Sequence, residues 1–221
     1  MRFVSYNIHR GVGVDRNRSI ERVTRAIARL EPDVVGLNEV VRVPFADDQP
    51  ARIAAALGMA VAFQDNVRRR NVAYGNLLLV AGEIDSVRDI ALPGEGEQRG
   101  LLVAEASVRG LELVFAVTHL SVDRETRRQQ TAAISSALPR ERPLVLAGDF
   151  NARPAELDAL RAEHLDWLRL ADPQATFPVP NPDAAIDHLL YSAHWRLTSI
   201  AARAEDASDH AALVVDLASV Y

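Results

Sequence analysis

Between Tyr74 and Leu120 the apolar stretches Asn76–Val80, Ile84–Ala91, Leu101–Ser107 and Leu111–Leu120 follow one another, separated by glycine-containing turns such as Arg109-Gly110. Such a run predicts consecutive antiparallel strands. Helical patterns flank it on both sides. Within Ser19–Leu30, the residues Ile20, Val23, Ile27 and Leu30 fall at helical spacing, and Pro32 ends the run. That helix lies between predicted strands at Arg2–Ile8 and Asp33–Leu37, which makes a β-α-β unit. A second helix is predicted over Asp47–Leu57, closed by Gly58. After the meander come a helix at Arg124–Leu138, a strand at Pro143–Ala147 and a helix starting near Pro154, whose ring suits a first turn. Strands are predicted last at Ile186–Tyr191, Trp195–Ala202 and Ala211–Leu217. Many strands with helices in both halves suit two packed sheets covered by helices on the outside. A single doubly wound sheet accommodates the central meander less well. No internal repeat and no low-complexity segment interrupts this order.

With 221 residues and 48% hydrophobic content, the chain can bury the core of one domain spanning residues 1–221. A net charge of -5 argues against coating nucleic acid by bulk charge, while leaving a local basic groove open. The sequence contains no cysteine, which excludes disulfides, thiolate metal ligands and cysteine nucleophiles. It also contains no lysine, so Schiff-base and lysine general-base chemistry are excluded and all 25 basic residues are arginine. With arginine so favoured, any one arginine says little about function. The opening segment Met1-Arg2-Phe3-Val4-Ser5-Tyr6-Asn7 lacks the features of a signal peptide. No apolar run approaches the ~20 residues of a membrane span. The expectation is a cytoplasmic protein with no obligate protein partner.

Polar residues recur where apolar strands give way to loops, which is where scaffolds place functional groups. Asn7 ends the first strand and Glu39 ends the second, in Gly36-Leu37-Asn38-Glu39-Val40. Thr118-His119-Leu120, Gly148-Asp149-Phe150-Asn151, Ile186-Asp187-His188 and Ser208-Asp209-His210 continue the series. Taken singly, each has a plain structural reading as a turn, a helix cap or a hydrogen-bonded histidine. The carboxylates and amide oxygens together suit a hard cation such as Mg²⁺ or Mn²⁺, which also binds substrate phosphate.

The ordered series resembles the endonuclease/exonuclease/phosphatase superfamily from Tyr6-Asn7 to Ser208-Asp209-His210. Gly148-Asp149-Phe150-Asn151 and Ser208-Asp209-His210 are its most specific pieces; Asn7, Glu39, Tyr74-Gly75-Asn76, Arg99-Gly100 and Ile186-Asp187 support them. The resemblance implies a four-layer α/β/β/α sandwich of two mixed sheets with helices outside, and hydrolysis of a phosphate ester. It implies metal ligation by Glu39, with Asn7 beside it, and by Asp209. Asp149 and Asn151 would orient or deprotonate the attacking water. His210, held by Asp187, and His119 would meet the scissile phosphate. Arg99 and Asn76 fall among the substrate-contacting positions. Two positions depart from the family pattern: Asn38 stands where Gln is usual, and His188 follows Asp187 where many relatives have Tyr. His188 is expected to be structural.

The substrate stays open between a small-molecule phosphate, a lipid headgroup and a nucleic acid. The last would make the protein a nuclease, with Arg68, Arg69, Arg70 and Arg10 along a phosphate groove. Without chemistry, the same scaffold would be a binding module. The His9-Arg10-Gly11-Val12-Gly13 loop follows the Asn7 strand and is expected near the site. Asn66–Asn71, the one dense basic run, reads equally as a solvated loop or as a phosphate-binding surface.

Overall fold

A computed structural model describes residues 1–44 and 46–220. Strand β1 (Arg2–Asn7), helix α1 (Ile20–Arg29) and strand β2 (Val34–Val43) form the expected β-α-β unit. The Ser19 side chain caps α1 by accepting the Arg22 N–H. The two strands are parallel, in register from Phe3 opposite Val34 to Asn7 opposite Asn38. The two-residue strand β3 (Asp47–Asp48) pairs with β2 and leads into α2 (Gln49–Leu57). Asp48 caps α2, and Gly58 ends it in the left-handed conformation. Strands β4 (Ala60–Arg69) and β5 (Val72–Val80) follow. With β12 (Trp195–Arg203) and β13 (Ala212–Ser219) they give the order β12-β13-β1-β2-β5-β4.

The second sheet is built from β6 (Glu83–Ala91), β7 (Gly100–Val108), β8 (Leu111–His119), β9 (Leu144–Asp149), β10 (Arg169–Leu170) and β11 (Asp187–Tyr191), in the order β10-β11-β9-β8-β7-β6. Helix α3 (Arg124–Ala137) joins β8 to β9 as a parallel crossover, and α4 (Pro154–His164) follows β9. Each sheet thus carries one parallel pair, and its other pairings are antiparallel.

Three apolar contacts hold the layers together. Phe3, Leu78 and Val215 of the first sheet meet Phe115, Val145 and Leu189 of the second. The outer face of the first sheet, with Val35 and Leu37, packs on Ile20, Val23 and Ile27 of α1 and Ile53 of α2. The outer face of the second, with Val114 and Leu146, packs on Ile134 of α3 and Leu157 of α4. This is the α/β/β/α sandwich. At Gly36 the sheets approach so closely that a Cβ would lie 2.8 Å from Val117 Cγ2. No helix among the described residues is long and apolar enough to cross a membrane.

Two expectations need correcting. The run from Tyr74 to Leu120 is not one meander, because β5 belongs to the first sheet and the chain crosses at Ala81-Gly82 to start β6 in the second. The basic run is not a loop either. Arg68 and Arg69 end β4, an edge strand paired only with β5, and Arg70 takes a left-handed turn conformation. The central Gln64-Asp65-Asn66 hides this strand from a hydrophobicity reading, because an edge strand tolerates polar residues.

Candidate active site

Strand register assembles the first part of the site. On β8, β9 and β11, His119 lies opposite Asp149 and Asp149 opposite Asp187, so three polar residues form one row at the end of the second sheet. Gly148 permits the row: its φ is 145°, and a Cβ there would sit 1.8 Å from the Thr118 carbonyl. The first sheet reaches across through Asn38, which is fully buried. Asn38 Oδ1 accepts the Asp149 N–H at 2.9 Å, and Nδ2 donates to Thr118 O at 2.9 Å and Asn76 Oδ1 at 2.8 Å. Asn76 in turn donates to Gln64 Oε1 at 3.0 Å and Gly100 O at 3.1 Å.

Glu39 owes its place to a bulge. Val35, Leu37 and Val40 all face the helix layer, while Asn38 faces the second sheet. The register of β2 against β5 slips between Leu37 and Val40, and Glu39 takes φ 59°. The extra residue breaks the alternation and turns this carboxylate out of the apolar face. Asn7 Nδ2 donates to Asp149 Oδ2 at 3.1 Å and lies 3.4 Å from Glu39 Oε1, while Asn7 Oδ1 accepts the His9 N–H at 3.0 Å. The 3₁₀ turn His9–Gly11 places two further positive-φ residues here. His9 Nδ1 lies 3.2 Å from Asp209 Oδ1, and Arg10 Nε lies 3.6 Å from Glu39 Oε2. Backbone strain of this kind collects at functional sites, and Asn151, at φ 49°, adds a fourth such residue.

The last part comes from the loop before β13. Ser208 Oγ donates to Asn7 O at 2.7 Å and accepts the His210 N–H at 3.2 Å, which pins the loop to the end of β1. His210 Nδ1 then lies 2.8 Å from Asp187 Oδ2, the oxygen that also accepts Thr176 Oγ1–H at 2.6 Å. The Phe177 ring packs 4.8 Å from the imidazole. Asp149 sits between two histidines, with His119 Nε2 at 3.5 Å and His210 Nε2 at 3.9 Å from its Oδ2.

These surroundings separate the two imidazoles. Burial, aided by the charges of Arg99 and His210 against the opposing pull of Asp149, pushes His119 down to about 4. Burial also opposes the His210 charge, but Asp187, Asp149 and Asp209 together outweigh it and raise His210 to about 9. Asp149 is pushed above the usual carboxylate range by burial and by the charge of Asp187, against the pull of both histidines. At neutral pH the site therefore holds one neutral imidazole and one imidazolium.

The donor set fits a hard cation. Glu39 Oε2 is buried and accepts no hydrogen bond, and the half-buried Asp209 carboxylate flanks the same 3₁₀ turn. Asp149, Asp187 and His210 also bring one donor atom each within 4.8 Å of one another. There, however, His210 Nδ1 and Thr176 already occupy Asp187 Oδ2, so this trio serves better as a hydrogen-bond relay than as a cation cage. Asn7 turns its NH₂ to the carboxylates. Offering oxygen to a cation there would require a flipped amide and would break the Oδ1 bond to His9.

Of the residues singled out in the sequence, Asn7, Glu39, His119, Asp149, Asp187, Asp209 and His210 are thus linked through these contacts. Asn151 adjoins them: its N–H donates to Asp149 Oδ1 at 2.9 Å and its Nδ2 to Leu120 O. Arg99 is mostly buried and pairs with Glu97 at 2.8 Å. Asn76 lies beneath the site, with both ends of its amide engaged inside the protein. His188 is buried on the Ala152 carbonyl at 2.8 Å, as a structural histidine should be. Thr176 and Gln64 have no sequence signal, since neither stands at the end of an apolar strand. Asn38 did show as a strand-end amide beside Glu39.

The family model described as the endonuclease/exonuclease/phosphatase family matches residues 4–210. An endonuclease/exonuclease/phosphatase structure from Beutenbergia cavernae superposes with a TM-score of 0.85 at 24% identity, covering 99% of this chain and 71% of that one. The catalytic domain of human nocturnin with a bound sulfate anion gives 0.78 at 20% identity, covering 100% and 94%. A mannosyl-6-phosphatase from Bacteroides thetaiotaomicron gives 0.74 at 17% identity, covering 99% of each chain. No curated protein matches the sequence. At these identities the structural matches speak for the fold alone.

Proposed function

The chain belongs to the endonuclease/exonuclease/phosphatase family, and on that premise we propose that it is a divalent-metal-dependent phosphoesterase. On this reading it is a single catalytic domain, residues 1–221, that hydrolyses a small or lipid-linked phosphate ester in the cytoplasm. The observation that carries the reading is the row His119–Asp149–Asp187, with His210 locked on Asp187 at 2.8 Å, near a Glu39 Oε2 that accepts no hydrogen bond.

Glu39 and Asp209, with Asn7 alongside, would hold Mg²⁺ or Mn²⁺. The bound ion supplies charge stabilisation at the phosphoryl oxygens. Asp149, fixed by the N–H of Asn151, orients the attacking water and accepts its proton. Its raised proton affinity suits that task better than an ordinary carboxylate would. His210, kept as an imidazolium by Asp187, carries its Nε2 proton beside Asp149, where it would meet negative charge developing on a phosphate bound at the mouth of this pair. His119 stays neutral and contributes a hydrogen bond, and Arg99 adds positive charge behind it. Asn38 and Asn76 act by positioning Asp149 rather than by touching substrate.

A nuclease reading would need the arginine run to form one surface. Arg68 instead pairs with Asp65, and of the run Arg69 alone is among the residues lining the neighbouring groove. The test is a panel of phosphodiesters, phosphomonoesters, plasmid DNA, RNA and phospholipids, assayed with Mg²⁺ and with His210→Ala as the blank. Turnover of a small ester or phospholipid above the blank is expected. Absence of metal-dependent hydrolysis in every arm rejects the reading.

A further inference from the structure

A groove of about 430 Å³ opens beside the site at the free end of β2, β5 and β4. Val41 and Val67 both pair with Tyr74, from either side, so the three lie in one row across the sheet. Val43 and Val72 extend this apolar floor, and Val72 is 42% exposed. Arginines line the groove as well: Arg10, Arg18 and Arg69. Among the described residues lining it, the acidic Glu97 is paired with Arg99. Arg10 stands on the boundary. Its guanidinium lies 5.0 Å over the Tyr74 ring on the groove side, and its Nε lies 3.6 Å from Glu39 Oε2 on the other.

An apolar floor with a few convergent charged groups is the make-up of a small-molecule subsite, and this volume has room for one ring or a short chain. Its continuity with Glu39 through Arg10 says which molecule. We propose that the groove reads the part of the substrate beyond the scissile phosphate: an aryl or short alkyl group seated on the valine floor, bearing a second anionic group, phosphate or carboxylate, held by Arg69. The inference rests on the phosphoester-hydrolase reading and supplies its substrate class.

Titration calorimetry with Mg²⁺ and two phosphonates tests it: methylphosphonate, and 4-carboxybenzylphosphonate, which adds the ring and the second anion. The wild-type protein should bind the second at least about tenfold more tightly. In Arg69→Ala and in Val67→Asp the ratio should fall toward one. Arg69 is exposed, so its replacement leaves the fold standing. A ratio near one in the wild-type protein, or an undiminished ratio in both variants, overturns the proposal. Hydrolysis is read separately on the 4-nitrophenyl esters of the same phosphonates, with water adding at phosphorus and 4-nitrophenolate leaving. Discrimination in binding with turnover of neither ester rejects the hydrolase reading and keeps the groove. Turnover of both at one rate, with equal binding, rejects the groove and keeps the hydrolase. Binding of neither phosphonate rejects both. An Arg69-dependent affinity for a single-stranded oligonucleotide, without discrimination between the phosphonates, overturns the proposal in favour of a nucleic-acid track.

Discussion

Asp187 Oδ2 lies 2.8 Å from His210 Nδ1, although 23 residues separate the two in the chain. Asp187 opens β11 in the second sheet, and His210 stands before β13 of the first, so the contact exists only when the sheets have closed on each other. Thr176 donates to the same oxygen and completes a buried support for the imidazole. If His210 works as an imidazolium at the phosphate, Asp187→Asn should leave the fold intact and slow turnover by roughly three to four orders of magnitude, the scale seen when an oriented histidine loses its carboxylate. The double variant with His210→Ala should be little slower than His210→Ala alone, because residues acting as one unit are not additive. Fully additive losses in kcat/KM would separate their roles.

The same pair makes a pH prediction for metal-free protein. Burial opposes the His210 charge, and Asp187, Asp149 and Asp209 reverse that effect, raising the ring from an ordinary 6.5 to about 9. Between those values the folded protein binds a proton that the unfolded chain does not. Stability contributed by His210 is therefore complete below 6.5 and lost as pH rises through 9. NMR titration of the ring should show this high value in the wild-type protein and a clear fall in Asp187→Asn. A wild-type imidazole titrating at 6.5 or below would contradict it.

Chelation should abolish activity, and Mg²⁺ or Mn²⁺ should restore it. The buried Glu39 Oε2, which accepts no hydrogen bond, is the atom that a cation would neutralise. Glu39→Gln should weaken metal affinity by roughly 10- to 100-fold while shifting the metal-free melting temperature little. Metal titration by calorimetry measures the first, and a thermal melt in chelator the second. Full turnover in metal-free protein would end the metal assignment.

Asn38 carries a structural prediction. Replacing it with Ala leaves the Asp149 N–H, Thr118 O and Asn76 Oδ1 without their partner in a fully buried position. The cost should be roughly 3 kcal/mol, or a fall of roughly 6–12 °C in melting temperature. Because Asp149 loses its tether, kcat should fall further than the small loss of folded protein explains. A change within about 0.5 kcal/mol would mean that water replaces the amide.

The arginine run gives the last prediction. Arg68 is paired with Asp65 and Arg70 sits in the β4–β5 turn, so replacing Arg68 and Arg70 by Ala should leave the salt dependence of oligonucleotide binding unchanged. An arginine that neutralises a backbone phosphate would, on replacement, lower the slope by about one unit. A fall of about two units for the pair would establish a nuclease surface.

Much of this protein was legible before folding. Helical spacing from Ile20 to Leu30 and the glycine after Leu57 are local signals, so α1 and α2 stood where expected. Asn7, Glu39, His119, Asp149, Asp187 and His210 stood out because at each a polar residue interrupts or borders an apolar stretch, a contrast visible within a few residues. What those residues touch was decided elsewhere. The row His119–Asp149–Asp187 depends on strand register, and the aim of Glu39 depends on a bulge at φ 59°. Asn38 bonds Asp149 across 111 positions of sequence, and Asn76, legible as a site residue, proved to be submerged beneath it. Strand β4 was missed because its pairing with β5, rather than its own hydrophobicity, holds it in the sheet. Periodicity records only which face of a segment is buried. Which polar groups meet at the mouth of the sandwich is set when two sheets close and every buried donor must find an acceptor, a condition on the whole chain that no local window contains.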